Sequence, residues 1–100
     1  MNTIIGANSQ GLTWTAVTKN NGDSPITDLA GYRVYQDGAA VAETVVNQYV
    51  WPTFPLNHGA SADFFVTAFD TAGNESPASL PVTLTADLLA PKAPTNLGVL

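Results

Sequence analysis

Cysteine is absent from this chain and charge is scarce, with 11% charged residues, three bases, eight acids and a single histidine. Without thiols there is neither a disulfide framework nor a thiolate metal site, so the fold rests on its core alone in any redox compartment. Only Lys19, Arg33 and Lys92 are basic, and a net charge of -5 repels phosphate backbones, which excludes nucleic acid as a partner class. No apolar run approaches the ~20 residues that a membrane span requires, so membrane insertion by a helix is excluded as well. Residues 1–11, MNTIIGANSQG, carry neither a basic n-region nor a long h-region. Two settings stay open: a protein made and assembled in the cytosol, as virion proteins are, or a module of a larger secreted protein.

What the chain does have is apolar content: 45% of its 100 residues. That combination with low charge predicts a folded chain rather than a disordered one, and the length is that of one domain. Residues 12–17, LTWTAV, alternate with Leu12, Trp14 and Ala16 on one face, the period of a half-buried strand, and Trp14 is expected to be the largest core residue. Residues 20–25, NNGDSP, concentrate turn formers and read as a surface loop. In YRVYQ, Tyr32 and Val34 share one face while Arg33 and Tyr35 share the other, and Asp37-Gly38 is a hairpin signal leading to a returning strand over 40–46. Pro52 and Pro55 place the β-rich segment 47–54 at a sheet edge. Phe64, Val66 and Ala68 alternate with Phe65, Thr67 and Phe69; Ala72-Gly73-Asn74 turns the chain, and Val82, Thr83 and Leu84 lie in the last strand. Short strands at regular spacing, with no helical period, indicate an all-β sandwich of about seven strands with antiparallel connections preferred.

Residues 12–87 resemble a fibronectin type III domain of bacterial style. Trp14 matches the tryptophan of its strand B, Tyr32 and Val34 its strand C, Leu56 the leucine before strand F, and Phe64, Val66 and Ala68 the inward face of F. The resemblance implies a two-sheet immunoglobulin-like β-sandwich. It departs at Ala62, where the family carries a tyrosine six residues after that leucine, leaving Trp51, Phe54 or Phe65 to fill the space. It departs again at the ends: the proline-rich lead and apolar strand that open such domains stand here in APKAPTNLGVL, residues 90–100, while the start offers only Thr3, Ile4 and Ile5. Residues 1–87 are therefore expected to form the sandwich, with strand A short or atypical, and 88–100 to be an extension like the strand A of a following domain. Three readings of that extension stay open: a linker, a strand added through Leu97, Val99 and Leu100 to a neighbouring copy, or a tail packed on its own sandwich.

A catalytic site is not expected. His58 sits in a turn-like Asn-His-Gly without an evident partner, and no serine occupies a nucleophile frame. Asp70, Asn74 and Glu75 crowd one loop, yet their spacing lacks the alternation of a calcium loop and equally suits a turn, so neither a metal nor another cofactor is expected. That loop, DTAGNES, lacks the Arg-Gly-Asp tripeptide of adhesive family members, and Asn74-Glu75-Ser76 is only formally a sequon because Pro77 follows. If Tyr32 and Val34 face inward, then Tyr35, Phe65 and Phe69 project from one outer face, either as an interface or as rings that cover one another. Two functions follow. The first is a structural or assembly module, in a virion such as a phage tail or capsid, holding proteins (its own copies or neighbouring domains) through that face and the extension. The second is a spacer or carbohydrate-contacting module of a secreted bacterial enzyme, with Tyr35 and Phe65 against polysaccharide.

Overall fold

A computed structural model describes residues 2–20, 22 and 24–100, with the side chain of Asn2 left aside. Asn21 and Asp23, in the predicted 20–25 loop, lie outside the described residues. The chain is all-β, with seven strands and no helix among those residues: β1 Asn2–Ile5, β2 Gly11–Thr13, β3 Leu29–Gln36, β4 Ala39–Thr44, β5 Gln48–Val50, β6 Ser61–Asp70 and β7 Val82–Ala86. They form a five-stranded sheet in the order β1-β7-β6-β3-β4 and a two-stranded sheet of β2 and β5.

The β3–β4 hairpin follows from its turn. Gln36 pairs with Ala39, so Asp37-Gly38 is the whole connection, and both residues have positive φ, 51° and 84°. Gly38 meets that demand without a Cβ penalty, and two left-handed turn residues match the twist of the flanking strands. Asp37 adds a side-chain acceptor: its Oδ1 receives the Asp63 N–H at 2.9 Å, tying the turn to β6. In β4 a bulge between the Val34 and Tyr35 registers leaves Val41 unpaired and half-exposed.

The inward faces lie where the alternation places them. Val34, Phe64, Ala62, Leu84 and Ala86 of the large sheet are buried with Trp51 and Leu56, and Ile5, Leu12, Tyr49 and Phe54 pack against them. Trp51, not Trp14, is the buried tryptophan: its ring meets Phe64 at 6.0 Å and Phe54 at 6.4 Å, and its Nε1 donates to Ser9 O at 3.0 Å. Trp51 and Phe54 thus occupy the core around Leu56 and Ala62, while Phe65 stands on the opposite face. Trp14 is only half-buried, packs edge-on against Tyr32, and keeps its indole N–H without an acceptor. The strand expected over 12–17 is assigned only as far as Thr13, because past Asn47 the β5 side of the ladder has no further partner.

One pairing overturns the antiparallel expectation. β1 runs parallel to β7, with Asn2 opposite Thr83 and Ile5 opposite Ala86, and Asp87 N donates to Ile5 O at 2.9 Å. The first strand therefore joins the large sheet, and among the described residues one edge of β2 is left without a strand. Beyond β7, residues 88–100 contain no strand and are exposed throughout, and the described chain extends 65 Å along its longest axis.

Candidate functional site

The outer face of the large sheet gathers its chemistry where β4, β3 and β6 lie side by side. The register puts Glu43 opposite Arg33, Arg33 opposite Thr67, Tyr35 opposite Phe65 and Gly31 opposite Phe69. Gly31 matters because a Cβ there would lie 3.2 Å from the Phe69 ring and 2.8 Å from Thr44 O. Its bare backbone lets the Phe69 ring lie across β3, where the Arg33 guanidinium sits 4.2 Å from the ring centre. Tyr35 and Phe65 stack with centroids 4.7 Å apart and planes within 12°. All three aromatic residues are half-buried on this face, Tyr35 against Phe65 and Phe69 against Arg33.

The polar centre of this face comes from the β6–β7 connection. Asp70 fastens its start: Oδ1 accepts from Ala72 N at 3.0 Å and Asn74 N at 2.8 Å, and Oδ2 accepts from Asn74 Nδ2 at 3.0 Å. Those bonds, the Asn74 side-chain amide first, hold the Asp70 carboxyl below the usual carboxylate range. The turn then presents Glu75 to the sheet face, paired with Phe69. Glu75 Oε2 accepts from Tyr35 Oη at 2.5 Å and Thr67 Oγ1 at 2.6 Å, and Oε1 accepts from Arg33 Nη1 at 3.1 Å. Thr67 first, then Tyr35, favours the charged form and depresses the Glu75 pKa, while the same bond raises that of Tyr35. Arg33 completes the set by donating from Nε to Glu43 Oε2 at 2.9 Å.

Past Glu75 the chain runs along β6 without forming a regular strand. Ser76 N and Ser79 N donate to Ala68 O and Val66 O, and the serine hydroxyls accept from Ala68 N at 2.9 Å and Val66 N at 3.0 Å. Side chains thus do what a backbone carbonyl does in a ladder, in a segment that Pro77 and Pro81 keep from pairing fully.

Sequence reasoning missed Arg33, Glu43, Thr67 and Glu75 as a set. The available signal was Arg33 itself, a cation in mid-strand between the inward-facing Tyr32 and Val34, which calls for a carboxylate on the outer face. His58, expected to lack a partner, has one: its Nδ1 accepts from Leu88 N at 3.0 Å, with Asp87 Oδ1 at 3.9 Å. Among the described residues no three of His, Asp or Glu gather as a metal site would require, and the Asp70 oxygens are taken by their own loop. Leu97, Val99 and Leu100 stand fully in solvent.

Fold and face together define a β-sandwich module whose outer surface is an aromatic and ionic network. No family model matches the chain, and no solved structure matches it. Two relatives do. Chitinase A1 of Niallia circulans is 39% identical over 102 residues, covering 96% of this chain and 13% of the chitinase. Exoglucanase B of Cellulomonas fimi is 34% identical over 100 residues, covering 94% of this chain and 9% of the exoglucanase. The chain thus spans only a small fraction of the length of each relative it matches.

Proposed function

We propose that this chain is a non-catalytic, fibronectin type III-like accessory module of an extracellular carbohydrate-active enzyme, and that it acts as an in-line connector. The observation that carries this reading is the parallel pairing of β1 with β7. Because the first and last strands run the same way, the chain enters towards one end of the sandwich and leaves from the other. Antiparallel first and last strands would bring both ends to one pole, where attached domains collide. The relatives support the enzyme setting by their names and by the small share of each that is matched; a virion setting has no such support.

The aromatic face fits a connector better than a sugar platform. Stacking on a sugar needs a ring face open to it, whereas Tyr35 and Phe65 lie against each other and Phe69 lies under Arg33. The network stiffens the sheet and leaves its polar groups paired. Incubation of the chain with insoluble chitin and with cellulose tests the choice: a connector stays in the supernatant of both. Retention lost on Tyr35→Ala substitution overturns the connector reading in favour of polysaccharide contact.

A further inference from the structure

The edge of β2 that β1 leaves bare is also the place where the core is incompletely covered. Trp14 N donates to Asn47 O and Trp51 N to Gln10 O, so Gln10, Leu12 and Trp14 direct their backbone groups towards β5. By the alternation of a strand, Thr13 and Thr15 direct theirs the other way, where no strand lies among the described residues. Alongside that edge runs a groove of about 290 Å³ between residues 14–17 and residues 76–79, with Trp14, Val17, Tyr32, Val66 and Pro77 among its walls. Val66 faces inward between buried Phe64 and Ala68, yet is itself only half-buried. A second groove of about 280 Å³ continues it, with Asp70 and Glu75 in its lining.

The same chain carries a segment that suits this edge. Residues 97–100, LGVL, follow Asn96, whose positive φ of 56° turns the backbone before them. Leu97 and Val99, two residues apart, share one face as a strand would present them, and both are wholly exposed. Charge agrees: all eight acids lie in residues 1–87, whereas residues 88–100 carry Lys92 and no acid. Pro91 and Pro94 keep the approach to residues 97–100 extended.

We propose that residues 97–100 of one copy add as a β-strand to the free edge of β2 in a second copy, with Leu97 and Val99 seated in the groove beside Trp14, Val17 and Val66. The added strand pairs the outward N–H and C=O groups of Thr13 and Thr15, and covers Val66. Donor segment and acceptor edge are different surfaces, so the contact is heterologous and joins copies head to tail. The proposal is independent of the enzyme setting, since a monomeric connector would serve that setting equally well.

Light scattering on the full chain over a concentration series tests it. Mass is expected to rise with concentration beyond the 10.4 kDa monomer, with no plateau at the dimer. Leu97→Asp with Val99→Asp removes the donor at residues that touch nothing in the sandwich. Thr15→Pro removes an outward N–H at the acceptor edge, with a thermal melt to establish that the variant is folded. Each variant alone is expected to be monomeric, and an equimolar mixture to give 1:1 dimers, because one supplies the acceptor and the other the donor. A monomeric full chain at every concentration overturns the proposal, as does association that survives the donor substitutions. If Thr15→Pro fails to fold, titrating the donor-disabled chain with a peptide of residues 92–100 decides in its place: saturable binding supports the strand addition, and its absence overturns it.

Discussion

The Glu75 carboxylate, on the loop between β6 and β7, accepts a hydrogen bond from the Tyr35 hydroxyl on β3 at 2.5 Å, joining residues 40 positions apart across the outer face. Thr67 and Arg33 donate to the same carboxylate, so one side chain collects three donors from two neighbouring strands. The loop is thereby fastened down on the sheet.

That arrangement sets the response to acid. Glu75 and Asp70 both have pKa values lowered in the folded chain. A carboxyl with a depressed folded pKa contributes stability that is complete above its unfolded value and is lost as pH falls through the folded one. Melting temperature is therefore expected to hold at neutral pH and to decline below about pH 4. Glu75→Gln should melt lower at pH 7 and show a shallower acid decline. Equal acid slopes for the two proteins would contradict a role for Glu75. At the alkaline end the sign reverses: Tyr35, with its pKa raised, contributes stability that is lost as pH rises through that higher value.

Gly31→Ala tests the close approach of Phe69. The new methyl meets Thr44 O and the ring edge, and overpacking of this kind costs about 1–3 kcal/mol. Urea unfolding should show the loss. A stability unchanged within error would mean that the ring does not lie over β3.

Ser76 and Ser79 stand in for backbone acceptors along β6. Ser79→Ala leaves Val66 N–H without that acceptor, a loss of about 1 kcal/mol. Amide hydrogen exchange is expected to accelerate at Val66, and for Ser76→Ala at Ala68, while Leu84 in β7 changes less. Uniform acceleration at all three amides would point to general destabilisation instead.

Phe64 is 2% exposed at the centre of the core. Phe64→Ala should cost about 3–5 kcal/mol, a large part of the total of about 5–15 kcal/mol available to a domain of this size. The variant is expected to be partly unfolded at 37 °C by circular dichroism, whereas Phe65→Ala on the outer face should remain folded.

Much of this was legible locally. Alternation assigned the two faces of β3 and β6, because a period of two leaves no other choice once Tyr32 and Phe64 point inward. Asp37-Gly38 specified its hairpin through backbone conformation alone. What stayed hidden depends on partners distant in sequence. Thr3, Ile4 and Ile5 read as a short or atypical first strand, but nothing in three residues says whether their neighbour is β2 or β7, or in which direction they pair. The choice between Trp14 and Trp51 as the buried ring turned on which strand sits over Phe64, and period alone gives both the same signal. Glu75 read as a loop acid because its donors come from β3 and β6, although Arg33, a cation in mid-strand, already asked for a carboxylate.

The direction of the chain through the sandwich carries the proposed role, and energy transfer between two small folded fluorescent domains, one fused before residue 1 and one after Leu100, measures it. A connector predicts low transfer in native buffer, with the folded body between the markers. High transfer, as when both ends leave from one pole and the markers touch, would contradict the account.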